Sequence, residues 1–176
     1  RAAAAAAGGS VFELKPLSRE GISAALEKAV RYRLLNEPFG AESICRDIRR
    51  VDPDNRDALV TLILALTDQF GSDGGASVSD AQKLLPELQD EYDREYYAGI
   101  VCERRGQTYV HRLLPGTGPI AYDWCRRAMQ HYERAGALRP EGNDDAILRW
   151  NSCARVIMRH RELEAAEAHP AQTMLE

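Results

Sequence analysis

A chain of 176 residues, 44% of them hydrophobic, is long enough to bury a core without metals or disulfides, so a single domain is expected. Twenty-three basic residues against 27 acidic ones give a net charge of -4, which argues against a dedicated nucleic-acid or anionic-membrane surface. No uninterrupted apolar run approaches the roughly 20 residues that span a bilayer. Cys45, Cys102, Cys125 and Cys153 each fall inside an apolar or amphipathic run, the usage of a thiol as a small hydrophobe in a reducing compartment. A soluble, cytoplasmic location is therefore expected.

The opening RAAAAAAGGS has no apolar core of a signal peptide and reads, with the residues up to 17, as a linker or an artificial tail. Ser18 is the predicted N-cap of a first helix, in which Ala25, Ala29 and Tyr32, with Leu26, Val30 and Leu34, recur at spacings of three and four. Pro38 breaks the pattern after Asn36 and Glu37. In the second helix Ala41, Ile44, Cys45, Ile48 and Val51 share one side, while Glu42, Arg46, Asp47, Arg49 and Arg50 face out. Pro53 ends it and Asn55 is placed to cap the third, predicted from Asp57 to about Phe70 and apolar enough to need cover on more than one side.

GSDGGAS, 71–77, cannot sustain a helix. A fourth helix is predicted from about Ser79, kept short or kinked by Pro86. From about Asp90 to His111 the period returns, with Tyr92, Tyr96, Ala98, Gly99, Cys102, Tyr109 and Leu113 as packing candidates. LLPGTGP is a break, and Pro119 suits the first turn of a helix carrying Ile120, Trp124, Ala128, Tyr132 and Ala135. Asn143 or Asp144 caps a last helix with a stripe of Ile147, Trp150, Cys153, Ala154 and Ile157, and the tail from 164 is expected to fray. No segment alternates as a strand does. The expectation is an all-α domain over 18–163, seven principal helices in antiparallel succession.

Residues 22–55 form one unit of about 34 residues. Small Ala29 and Ala41, aromatic Tyr32, apolar Cys45 and Ile48 and the terminator at Pro53 resemble a tetratricopeptide repeat. Small side chains let two helix axes approach, and larger ones fill the space left between pairs. Leu59, Leu62, Ile63 and Leu66 take the corresponding places in a second unit, with Ala81, Leu85 and Leu88 beyond an expanded loop. Ala98, Gly99 and Cys102 open a third, completed after a long insertion by Ala128, Tyr132, Ala135 and Pro140; Trp150, Ala154 and Ile157 open a fourth that lacks a second helix. The resemblance covers about residues 20–160 and implies antiparallel helix-pair repeats in a short right-handed superhelix or an irregular bundle derived from one.

It also implies a ligand groove along the first helix of each pair. Its positions are Leu26, Val30 and Arg33; Val60, Leu64 and Thr67; Tyr96, Ile100, Glu103 and Arg104; then Asn151, Arg155, Met158 and Arg159. Such a groove is apolar toward the first units and basic toward the last, and suits a peptide or partner helix with apolar anchors and carboxylates.

Catalytic signals are few. His111, His131, His160 and His169 are scattered, with no close pair bracketing a glutamate as in zinc hydrolases. GTG at 116–118 lacks a phosphate-binding pattern, GSDGG lacks the oxygen spacing of a calcium loop, and the arginines at 46, 49, 50, 126 and 127 are interleaved with carboxylates as on solvated faces. The expected function is a non-enzymatic protein- or peptide-binding scaffold with no cofactor, no metal, and no nucleic-acid or membrane partner. Homo-oligomeric assembly and an enzyme pocket formed by the inserted loops are the alternatives.

Overall fold

A computed structural model describes residues 12–112 and 115–164. The tail up to residue 11, Leu113, and the tail from 165 with His169 lie outside the described residues. Helix α1, Ile22–Leu34, begins later than the sequence predicts, because Ser18 caps a single 3₁₀ turn, Arg19–Gly21, by accepting from Gly21 N. The helix ends as a Schellman turn. Glu37 N donates to Tyr32 O at 2.8 Å and Asn36 N to Arg33 O at 3.0 Å, with Asn36 left-handed at φ 59. Pro38 then starts α2, Pro38–Val51, where its missing N–H costs nothing.

Asn55 caps α3, Arg56–Thr67, accepting from Ala58 N at 2.9 Å. The predicted extension to Phe70 is instead a tightened turn: Gln69 N and Phe70 N reach back three residues and Gly71 takes φ 84. Helix α4, Val78–Gln82, begins one residue earlier than expected with a capping box between Ser77 and Asp80, and Pro86 sits in the 3₁₀ turn Leu85–Glu87. Helices α5, Glu91–Arg112, α6, Gly118–Leu138, and α7, Asp145–Arg159, follow, and Asn143 Oδ1 accepts from Asp145 N at α7's start.

The seven helices form an all-α bundle, each packed chiefly on its neighbour in sequence, and α3 meets α5 directly. One core gathers Ala29, Ala41, Cys45, Leu62, Ile63 and Leu66 with Val101. A second gathers Cys102, Ala128, Tyr132, Ala135, Ala146 and Cys153 with Ile100. Helix α5 therefore serves both, through adjacent residues that pack into different cores. The observed stripes begin one residue off those predicted on α6 and α7: Ala121 and Ala146 are buried while Ile120 and Ile147 are exposed. Val30 and Leu34 are exposed as well.

Two aromatic rings lie on glycines at helix crossings. A Cβ on Gly40 would sit 2.8 Å from the Tyr32 ring, and one on Gly99 would sit 2.5 Å from the Tyr132 ring. The chain after α7 folds back, burying Leu163 against Val110 and Ala121 and bringing Glu162 O so close to Gly118 that a Cβ there would be 2.0 Å away. Gly118, part of the predicted break, is thus also a packing requirement.

Gly99→Ala is expected to destabilise the fold by roughly 1–3 kcal/mol despite the better helix propensity of alanine, because the rigid Tyr132 ring must shift. Gly136→Ala, with nothing within 4 Å of the new Cβ, is expected to stabilise by about 0.5–1 kcal/mol. Urea titrations of the two variants check both signs; a Gly99→Ala protein as stable as the parent refutes the crossing role.

Candidate functional site

Three elements converge on a cleft of about 450 Å³. Helix α1 supplies Arg33 and Leu34, the C-terminal end of α3 supplies Thr67 and Asp68 with Phe70 just beyond, and α5 supplies Arg104, Gln107, Thr108 and His111. Residues 104, 107, 108 and 111 fall on one face because they recur at helical spacing. Arg33 Nε donates to Asp68 Oδ2 at 2.8 Å, and Arg104 Nη2 lies 4.0 Å from Asp68 Oδ1. The Nε of Arg104 is buried without a hydrogen-bond partner. Thr67 and Thr108 spend their hydroxyl protons on their own helices, donating to Leu64 O and Arg105 O. The two guanidiniums and the imidazole are therefore the cleft's main charged or polar donors, facing one carboxylate.

The structure brings together Arg33, Thr67 and Arg104 from the predicted groove, one from each of α1, α3 and α5. Leu26, Val60, Leu64 and Tyr96 are half-buried; Val60 packs on the first core and Leu64 on the second, while Tyr96 stacks on Tyr92 with ring centroids 5.6 Å apart. Ile100 and Glu103 are buried rather than groove-facing, Glu103 only 3% exposed. Glu103 accepts from Tyr132 Oη at 2.5 Å, Gln107 Nε2 at 3.1 Å and Arg149 Nη1 at 3.3 Å, so α6, α5 and α7 satisfy it inside the core. Burial, with the Glu103 charge and hydrogen bond adding to it, pushes the Tyr132 phenol far above the ordinary tyrosine range. Val30 is exposed on α1; Asn151 is half-buried and Arg155, Met158 and Arg159 are exposed on α7, and none of these five lines the cleft.

Sequence reasoning missed Asp68, Gln107, Thr108 and His111. Arg33 and Thr67 stand one repeat length apart, which placed them together, and Asp68 is simply the next residue. His111 is two helical turns beyond Arg104, a signal present in the sequence. Of the positions the resemblance named, Ala29, Ala41, Cys45, Ile48 and Ala128 are fully buried, Trp150 and Ala154 pack on the second core, and Pro53 and Pro140 follow the ends of α2 and α6.

Elsewhere, His131 Nδ1 lies 2.7 Å from Glu95 Oε2, which also accepts from Arg134 Nε at 2.9 Å; this pair is separate from the cleft. Among the described residues no three His, Cys, Asp or Glu side chains gather as a metal site, and no helix is long and apolar enough to cross a membrane. Comparison with protein-family models, with curated proteins and with solved structures gives no significant match in any of the three.

All four cysteines are buried free thiols. Burial pushes Cys45, Cys102 and Cys125 up to about 11 from an ordinary 9.0, and burial with the Glu103 charge pushes Cys153 higher still. Folding holds these thiols neutral, so their contribution to stability is complete below the unfolded pKa and is lost as pH rises from there through the folded values. At about pH 8 the native thiols are expected to resist an aromatic disulfide reagent that labels all four in denaturant, and the urea midpoint should fall as pH climbs past about 9. Rapid labelling of the native protein would contradict the burial.

Proposed function

We propose that the chain is a non-enzymatic protein-binding scaffold of tetratricopeptide-repeat type, whose cleft between α1, α3 and α5 receives an acidic segment of a partner protein. The observation that carries this is the convergence of Arg33 and Arg104 on a cleft holding a single carboxylate, Asp68. A guanidinium binds carboxylate through parallel N–H donors, and the Nη2 of Arg104, on a side chain 35% exposed, stands 4.0 Å from Asp68 without a hydrogen bond to it. Beside the cleft, Leu34 is 83% exposed and Val30, one turn earlier, 41%. Apolar side chains flanking an acidic residue of the partner would cover them. The open, largely polar lining differs from the enclosed, mostly apolar pockets that hold cofactors and small substrates.

A second reading rests on α7, where Leu148 is 63% and Met158 74% exposed. Two copies could bury these faces against each other. Static light scattering over a concentration series tests it: a doubling of mass that Leu148→Glu abolishes supports self-association, and a constant monomer mass rejects it.

Fluorescence anisotropy with a labelled peptide of alternating leucine and glutamate tests the cleft. Binding is expected to exceed that of the leucine–glutamine counterpart, to weaken with salt, and to weaken at least about tenfold in Arg104→Met. Equal binding of the two peptides rejects the acidic specificity. Weaker binding on charge reversal at Arg155 extends the groove to α7, whereas unchanged affinity confines it to α1, α3 and α5.

A further inference from the structure

The cleft already contains an acid, in a place that the helix bearing it does not favour. Asp68 immediately follows Thr67, the last residue of α3, where the unpaired carbonyl ends of the helix repel negative charge. Two guanidiniums from other helices offset that repulsion, but unequally. Arg33 makes a true hydrogen bond at 2.8 Å, while the 4.0 Å separation from Arg104 is an ion pair without one. Arg104 is thus drawn toward Asp68 without hydrogen-bonding to it, and its side chain remains 35% exposed.

Resting on the acidic-segment reading, we propose that Asp68 is an internal stand-in for the partner's carboxylate, tuning the cleft to accept one further single negative charge. Two guanidiniums less one carboxylate leave a net charge of one among these three groups. A partner glutamate or aspartate that takes Arg104 while Asp68 keeps Arg33 gives each acid its own guanidinium, and no charge among Arg33, Asp68 and Arg104 is left over. A phosphoserine carries about 1.5 to 2 negative charges near neutral pH and meets the Asp68 carboxylate at close range. Asp68 therefore discriminates between carboxylates and phosphates by repulsion as much as the arginines do by attraction.

The test uses the full chain and two labelled peptides that differ at one central position, glutamate or phosphoserine, within the same alternation of leucine and glutamate. The unaltered protein is expected to prefer the glutamate peptide. Asp68→Asn, which removes the competing charge but keeps the shape, is expected to tighten the glutamate peptide about fivefold to tenfold and the phosphoserine peptide more, so that the preference disappears or reverses. Preference for phosphoserine in the unaltered protein overturns the proposal with no variant needed. So does an Asp68→Asn protein, shown folded by circular dichroism, that binds the glutamate peptide no tighter than before. If Arg104→Met weakens binding while Asp68→Asn does not strengthen it, the cleft survives as a binding site and only the role of Asp68 is lost. If neither peptide binds either protein, the acidic-segment reading fails with it.

Discussion

Helix α5 has to enter two cores at once, and the arrangement of the other helices depends on how it manages this. Val101 enters the core built by α1, α2 and α3, while Ile100 and Cys102 enter the core built with α6 and α7. A helix so enclosed leaves little room for side chains where its partners cross it. Gly99 resolves the tightest crossing by having no Cβ beneath the Tyr132 ring, and Gly106 does the same under Cys125 and Trp124. The arc of α5 left outside the two cores carries Arg104, Gln107, Thr108 and His111 into the cleft.

Burial of Glu103 follows from the same enclosure. Its carboxylate cannot reach water, so it is retained only with donors from three helices, and the Tyr132 ring that covers Gly99 supplies one of them. Packing and polar satisfaction at this crossing are therefore a single arrangement. Gln107 donates to Glu103 and also lines the cleft, which places the floor of the candidate site one hydrogen bond from the centre of the second core. Polar ties also act between α3 and α5: Arg56 grips the buried Asp93 through two hydrogen bonds, 2.6 and 2.8 Å, joining the start of α3 to the start of α5. At the far end Arg112 Nη2, in the last turn of α5, donates to Gly71 O just beyond α3, so the two helices are tied at both ends.

Most of the fold was legible in the sequence because its signals are local. Asn55, Pro38 and Pro119 mark helix starts by chemistry that needs no tertiary context, and Ala29, Ala41, Cys45 and Ile48 declare a buried face by spacing alone. The site was legible only in part. Arg33 and Thr67 could be paired through the repeat length, but Asp68 belongs to a turn outside the helical period. Glu103 was misplaced because one residue turns a helix through about 100 degrees, and its true surroundings are Tyr132 and Arg149, 29 and 46 positions away. Leu163 carried no periodic signal, since its burial depends on a fold-back permitted by Gly118.

The double allegiance of α5 also bears on how such a chain can change over generations. Arrays of stacked helices commonly lengthen or shorten by gain or loss of a whole pair, which succeeds when every interface is interchangeable with the next. Here the wall between the two cores is one helix with unlike faces, so excising or copying the α5–α6 pair would leave either Val101 or Ile100 and Cys102 without its proper neighbours. A gain or loss of a helix pair that left both cores intact would therefore have to fall on the outer helices.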